Sequence, residues 1–241
     1  MAIAVLSDVR ILVGEMNLSP KIGTASISYG AELQDVTNLG GMTTRGNKAG
    51  LKTATVAVDG YYDPDGLDAD QFPKVGATAL PYTVMEPNAA DTTDAIAYLG
   101  DALYADLEQF GTVGDVTPFS ATLQGNNLGK GYTFLDLTAT ATGTSNGQQL
   151  GAIVNPEKVL VAIHVLTVSG TSPTLDITVQ SDDNSGFTSA TSRATSNQFT
   201  AAGSQYIEVA PPITDDYWRI AYTIGGTAPS FTFAVSMARQ V

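Results

Sequence analysis

Residues 33–63 read LQDVTNLGGMTTRGNKAGLKTATVAVDGYYD, and this stretch decides the class of fold. Leu33 and Asp35-Val36-Thr37 lead into a polar loop that holds Gly40, Gly41, Gly46 and Gly50, with Arg45, Lys48 and Lys52 as its charges. From Thr53 to Asp59 the sequence alternates. Ala54, Val56 and Val58 fall on one side, and Thr55, Ala57 and Asp59 on the other, which is the period of a strand with one buried face. The stretch therefore predicts strand, glycine-rich loop, strand.

The composition agrees. Only 15% of the 241 residues are charged, and the chain has 24 glycines and no cysteine. Small and polar residues on this scale suit strands and tight turns better than long helices. Without cysteine there is no disulfide and no thiolate metal site, which fits assembly in a reducing cytosol. No run of eighteen apolar residues suggests a membrane anchor, and the first residues, MAIAVLSDVRILVGEM, lack the basic start of a signal peptide. The net charge is −13, with 16 acids and 6 bases in residues 1–125 against 8 and 5 in residues 126–241. That excess excludes a phosphate-gripping basic patch. On composition alone it is a solubility charge.

Working outward, residues 1–23 read as an irregular arm with scattered apolar anchors, Ile11, Leu12 and Met16 among them. Strands are predicted near 24–33, 53–61 and 80–85. Over Asp91–Gln109 the leucines predict a helix, with Asp91 as N-cap and Ile96, Leu99, Leu103 and Leu107 as a buried stripe. A further strand covers 116–123. The run Gly125-Asn126-Asn127-Leu128-Gly129 suggests a boundary, dividing the chain into 1–125 and 126–241. The second part reads as strands alone. Two turns in it share one pattern, Gly170-Thr171-Ser172-Pro173 and Gly226-Thr227-Ala228-Pro229, and predict two similar hairpins of a β-sandwich.

The segment 36–63, VTNLGGMTTRGNKAGLKTATVAVDGYYD, resembles the tail tube (major tail) protein of long-tailed, siphovirus-like bacteriophages. In that family a strand end of the type x-D-V-T, a loop with threonine and arginine, G-L-K/R-x-A-x-V and G-Y/F-Y/F-D follow one another in this order. HVLTVSGTSPTLDITVQSDDNSGF (164–187) and ITDDYWRIAYTIGGTAPSFTFAV (213–235) resemble a C-terminal module carried by some phage tail proteins. The resemblance implies a mainly β fold: a tail-tube-type ring-forming sheet or sandwich over 1–125 with one flanking helix. A second all-β sandwich over 126–241 would sit on the outer surface. It implies a structural virion protein and no enzyme, assembled in the host bacterial cytoplasm into hexameric rings. The rings would stack on a tape-measure protein between terminator and tip proteins, leaving a lumen for DNA passage during ejection.

Under that reading Leu39, Met42, Thr43, Thr44, Arg45, Lys48 and Leu51 of the loop, with Ile11, Leu12 and Met16 of the arm, are expected to touch neighbouring subunits or rings. Glu32, Asp35, Asp59 and Glu86 are expected to face the lumen, where carboxylates repel DNA over a Debye length of roughly 8 Å. No cofactor or metal is expected. Asp63, Asp65, Asp68 and Asp70 crowd one loop, but glycine at the wrong place and no closing glutamate make a solvated turn the better reading than calcium. Asp182-Asp183-Asn184-Ser185-Gly186 reads as an Asx turn. His164, the only histidine, lies in an apolar run and reads as structural. Trp218 is in phase with Ile220, Tyr222 and Ile224 and reads as core, not as a sugar platform. Rival readings are a carbohydrate-binding or adhesin-like surface protein, or a capsid decoration protein.

Overall fold

The computed structural model describes residues 9–36, 46–62, 75–88, 91–109, 111–113 and 115–240. Among these the chain runs through β1 (Arg10–Val13), β2 (Met16–Asn17), a 3-10 turn (Ser19–Lys21), β3 (Ile22–Asp35), β4 (Asn47–Tyr61), β5 (Leu80–Asn88) and β6 (Asp91–Gln109). It continues through β7 (Pro118–Gly125), β8 (Gly129–Ala139), β9 (Gly143–Thr144), β10 (Gln148–Gln149) and β11 (Val159–Asp182). Last come β12 (Thr191–Thr195), β13 (Gly203–Val209) and β14 (Tyr217–Gln240). The protein is mainly β, and its strands pair antiparallel.

Two compact units result, and they are not the consecutive halves 1–125 and 126–241. The larger gathers Met1–Lys21, Ala79–Asp101 and Leu128–Val241, and the smaller gathers Ile22–Thr78 and Ala102–Asn127. The predicted boundary at Asn126-Asn127 coincides with one of the crossings. The segments 1–21 and 79–101 fall on the other side of it because β1 pairs with β5 and β6 pairs with β8.

The smaller unit is built on a sheet in the order β3, β4, β7 and the C-terminal part of β6. Cross-strand pairing sets its rows. Ala25 faces Val58 and Ala121, Ile27 faces Val56 and Leu123, and Tyr104 and Leu107 complete these rows on β6. The β4, β7 and β6 members of the rows are buried. Residues one step along each strand occupy the opposite face.

No α-helix spans 91–109; the same residues form β6. Its buried residues run Ala95, Ala97, Leu99, then Gly100, Ala102 and Tyr104, then Leu107. Steps of two are interrupted by a step of one at Leu99–Gly100 and a step of three at a bulge by Ala105. A strand whose facing parity slips twice places apolar residues at intervals of three and four, which imitates a helical stripe. Ile96 and Leu103, expected in that stripe, are exposed.

The larger unit is organised by the long pair β11–β14, matched from Val159↔Arg239 to Asp182↔Tyr217. GTSP and GTAP are not hairpin turns. They lie opposite each other inside this pair, with Thr171↔Thr227 in register, and form two facing bulges. Gly170 and Gly226 take φ of 117° and 109°. A Cβ on Gly170 would stand 2.7 Å from the Ala228 carbonyl, and one on Gly226 2.6 Å from that of Ser172. The repeated motif is thus one motif paired with its own copy, and glycine is required where the two backbones cross closest. Beyond the bulges the partners change. Val159–Val165 pairs with β13, whereas Thr178–Ser181 pairs with β12. Rows from both halves, Val161, Ile163 and Val165 with Leu175, Ile177 and Val179, belong to one apolar core containing Trp218, Phe231 and Phe233.

The first part of β11 is buried on both faces. Leu160 and Ala162 enter a second cluster with Leu12, Met85, Ala97 and Leu99. Ile11, Leu12 and Met16 are buried, so the N-terminal arm is no loose arm from β1 onward.

Leu99→Ala is expected to cost about 2–5 kcal/mol, as for a fully buried leucine, whereas Leu103→Ala at 40% exposure should cost less than about 1 kcal/mol. Urea denaturation of the two variants checks this. Equal losses would restore the helical stripe and contradict the strand.

Candidate assembly surface

The face of the smaller sheet opposite its buried rows carries three cross-strand rows of polar character. Thr24, Asp59, Ser120 and Glu108 form the first, Ser26, Ala57, Thr122 and Asp106 the second, and Ser28, Thr55, Gln124 and Leu103 the third. Each follows from the alternation of its strand, and on β6 the bulge at Ala105 turns Asp106 and Glu108 to this side. The three carboxylates are exposed. The four strands contain no Lys or Arg over 24–31, 53–61, 102–109 and 118–125. The face is therefore small, polar and anionic.

The edges of this sheet matter as much as its face. Among the described residues β3 pairs with β4 alone. From Ile22 to Ala31 it carries no charge and no proline. Natural edge strands are usually blunted by lysine, proline or a covering segment, and β3 has none of the first two over that length. At the opposite edge, among the described residues, β6 meets an isolated bridge between Val75 and Tyr104, with the Gly76 amide donating to the Tyr104 carbonyl at 2.9 Å. β3 and β4 also run beyond the four-stranded part, where Leu33 and Leu51 are exposed, the latter at 81%. Lys52 of this stem stands 5.4 Å from the Tyr29 ring centroid.

Asp59 lies on the anionic face. Glu32 and Asp35 lie on the exposed β3 stem, and Lys48 and Leu51 on the β4 stem. Glu86 is exposed on β5, which belongs to the larger unit. Leu39, Met42, Thr43, Thr44 and Arg45 lie outside the described residues, as do Asp63, Asp65, Asp68 and Asp70. Ile11, Leu12 and Met16 do not serve as surface contacts, because their side chains are consumed by the core of the larger unit. Asp106 and Glu108 were missed because 91–109 reads as a helix. The signal that finds them is the pairing of β7, whose Ser120 and Thr122 stand between them and β4.

The remaining candidates are structural. His164 is fully buried. Its Nδ1 donates to the Gly14 carbonyl at 2.7 Å, so its Nε2 accepts from the Thr83 hydroxyl at 2.8 Å. Burial pushes its pKa down to about 4, against the Gly14 hydrogen bond, which raises it. Asp182 accepts from the amides of Ser189 at 2.8 Å and Asn184 at 3.0 Å, and Asn184 Oδ1 accepts from the Gly186 amide at 2.7 Å. That is the Asx geometry the sequence predicts, and the Ser189 amide above all holds the Asp182 carboxyl below its usual range. Trp218 is buried, with Nε1 donating to the Gly151 carbonyl at 3.3 Å, so no indole platform is offered to a sugar. Among the described residues no cluster of His, Asp or Glu could hold a metal, and no helix is long and apolar enough to cross a membrane.

No protein-family model matches the chain, and no curated protein matches it in sequence. Among solved structures it is similar to chains of phage and phage-like particles. A chain of the virion of a native gene transfer agent particle is 16% identical over 54% of this chain and 99% of that one, with a TM-score of 0.41. The SPP1 tail tube is 14% identical over 52% and 77%, with a TM-score of 0.41. The SPP1 Dit protein, a hub of the adsorption apparatus in phages that infect Gram-positive bacteria, is 12% identical over 95% and 98%, with a TM-score of 0.35.

His164 binds a proton in the unfolded chain near its ordinary 6.5 but in the folded chain only near 4. Its neutral form supports the fold fully above pH 6.5, and that support is lost as pH falls toward 4. By pH 5 the loss should reach about 2 kcal/mol. Urea unfolding at pH 7 and pH 5 should show a steeper fall for the parent than for His164→Gln. Equal falls would contradict the assignment.

Proposed function

We propose that this chain is a structural virion protein, a phage tail tube subunit whose smaller sheet joins copies of itself edge to edge into a closed ring. The observation that carries the reading is the sheet β3-β4-β7-β6, with an unblunted strand at one edge, a strand that among the described residues meets one isolated bridge at the other, and one polar, anionic face. Strand directions alternate across its four strands. Copies related by rotation about a ring axis therefore meet β3 to β6 antiparallel, the better of the two ladders. Such an interface is heterologous and closes when the rotation divides a full turn. Closure satisfies the backbone groups that a lone edge leaves to water.

In this reading six subunits make a ring, and rings stack on a tape-measure protein between terminator and tip proteins in the virion tail. The Asp59, Asp106 and Glu108 face lines the lumen. With no cation over 24–31, 53–61, 102–109 and 118–125, DNA meets a wall that releases no counterions to hold it and slides through during ejection. Glu32 and Asp35 extend this charge along the β3 stem. Lys48 and Leu51 of the β4 stem, with the loop holding Leu39, Met42, Thr43, Thr44 and Arg45, make contacts between rings. The bulk of residues 126–241 forms a β-sandwich on the outer surface. The role is structural and not enzymatic, with assembly in the host cytoplasm.

The absence of native cysteine makes the joint testable by cross-linking. Ser26→Cys on β3 is combined in turn with Leu103→Cys, Asp106→Cys and Glu108→Cys on β6, all on one face. Opposed antiparallel residues place Cα atoms about 4.5–5.5 Å apart, within disulfide reach. One register should give, on oxidation, a ladder of covalent oligomers ending at six, and the single-cysteine variants should give none beyond dimers. If every register stays monomeric while each thiol still reacts with a maleimide, the edge joint is wrong.

A further inference from the structure

The larger unit contains a cleft of about 340 Å³ lined by Ile96, Lys130, Tyr132, Gln149, Leu150 and Arg239. Its charge is unusual for this protein. Lys130 on β8 and Arg239 on β14 are direct cross-strand partners, and Tyr98 is the partner of Lys130 on β6. Two like charges opposite one another on neighbouring strands oppose folding. In a chain with 24 acids and 11 bases, such a pairing is not forced by composition.

Among the described residues only one of the two cations meets a carboxylate. Arg239 pairs through Nη2 with Glu157 and donates from Nη1 to the Leu150 carbonyl at 3.3 Å. Lys130 is exposed. Among the described residues its ammonium has the Tyr98 ring as its contact, 5.6 Å from the centroid. One positive charge thus remains at the mouth of a cleft whose other walls are the apolar Ile96 and Leu150, the partly buried Tyr132 and the amide of Gln149.

We propose that this cleft binds a sugar carrying a carboxylate, of the uronic acid class. The carboxylate would sit between Lys130 and Arg239, relieving the repulsion. The pyranose would lie against Tyr132 and Ile96, and Gln149 would donate to or accept from a ring hydroxyl. The volume falls at the lower end of small-ligand sites, which run about 300–1,000 Å³, and suits one or two sugar rings. A bare inorganic anion would use the cations and leave the apolar walls empty. A neutral sugar would use the walls and leave Lys130 unanswered. The site lies wholly within the larger unit and does not depend on the assembly reading.

The test is isothermal titration, at low and physiological salt, of the full chain with a glucuronate disaccharide, with the neutral glucose disaccharide, and with acetate or phosphate. Saturable binding of the glucuronate disaccharide is expected, at least tenfold tighter than either comparison. Lys130→Met should weaken it tenfold or more, and Lys130→Arg should retain it. The thermal midpoint of Lys130→Met should be no lower than that of the parent, since the substitution removes a repulsion. Equal affinity for the neutral disaccharide, equal affinity for acetate or phosphate, or no binding of the glucuronate at all would each overturn the proposal. So would unchanged affinity in Lys130→Met.

Discussion

A strand edge laddered on one side among the described residues is the constraint on which the rest of the smaller unit depends. β3 runs along 14 residues, and among the described residues its ladder partner is β4. An isolated soluble domain ordinarily interrupts such an edge with charge or proline. Here Ile22 to Ala31 is neutral throughout, and its side chains are small on the polar face (Thr24, Ser26, Ser28) and larger on the other (Ile27, Tyr29). The edge is thus kept smooth, and the alternation of β3 keeps its own larger side chains off the face that a closed ring would turn inward. A copy of β6 is the natural complement because the even number of alternating strands brings it in antiparallel.

The charge is arranged in keeping with this. Asp59, Asp106 and Glu108 come from two strands separated by β7, yet pairing through Ser120 and Thr122 brings them to one face. The bulge at Ala105 is what turns the two β6 acids to that side. Without it Asp106 would share the parity of Tyr104 and enter the buried row, where an unpaired carboxylate is costly.

Much of this was legible in the residues, for a reason that also explains what was not. β4 shows a clean period of two because one face is buried over its whole second half, so Ala54, Val56 and Val58 announced themselves. β6 keeps no single parity, and its slips near Gly100 and at Ala105 turned a strand into an apparent helix, hiding Asp106 and Glu108. The GTSP and GTAP motifs were visible as a repeat. Sequence alone does not distinguish a turn that ends a strand from a bulge that bends one, since both ask for glycine at positive φ. Ile11, Leu12 and Met16 read as scattered apolar anchors of an irregular arm because their partners, β5 and the first part of β11, are far away in sequence. The apolar run around His164 reads as interior, and two-sided burial between separate clusters explains why it shows no alternation.

The measurement that bears most directly on the ring is an electron cryomicroscopy map of the purified full-length chain in its assembled form. Edge joining predicts closed six-fold rings in which β3 of each subunit continues into β6 of its neighbour, with Asp59, Asp106 and Glu108 turned toward the lumen. Rings whose β3 edge faces solvent, an inner wall free of these carboxylates, or a chain that stays monomeric at all concentrations would contradict it.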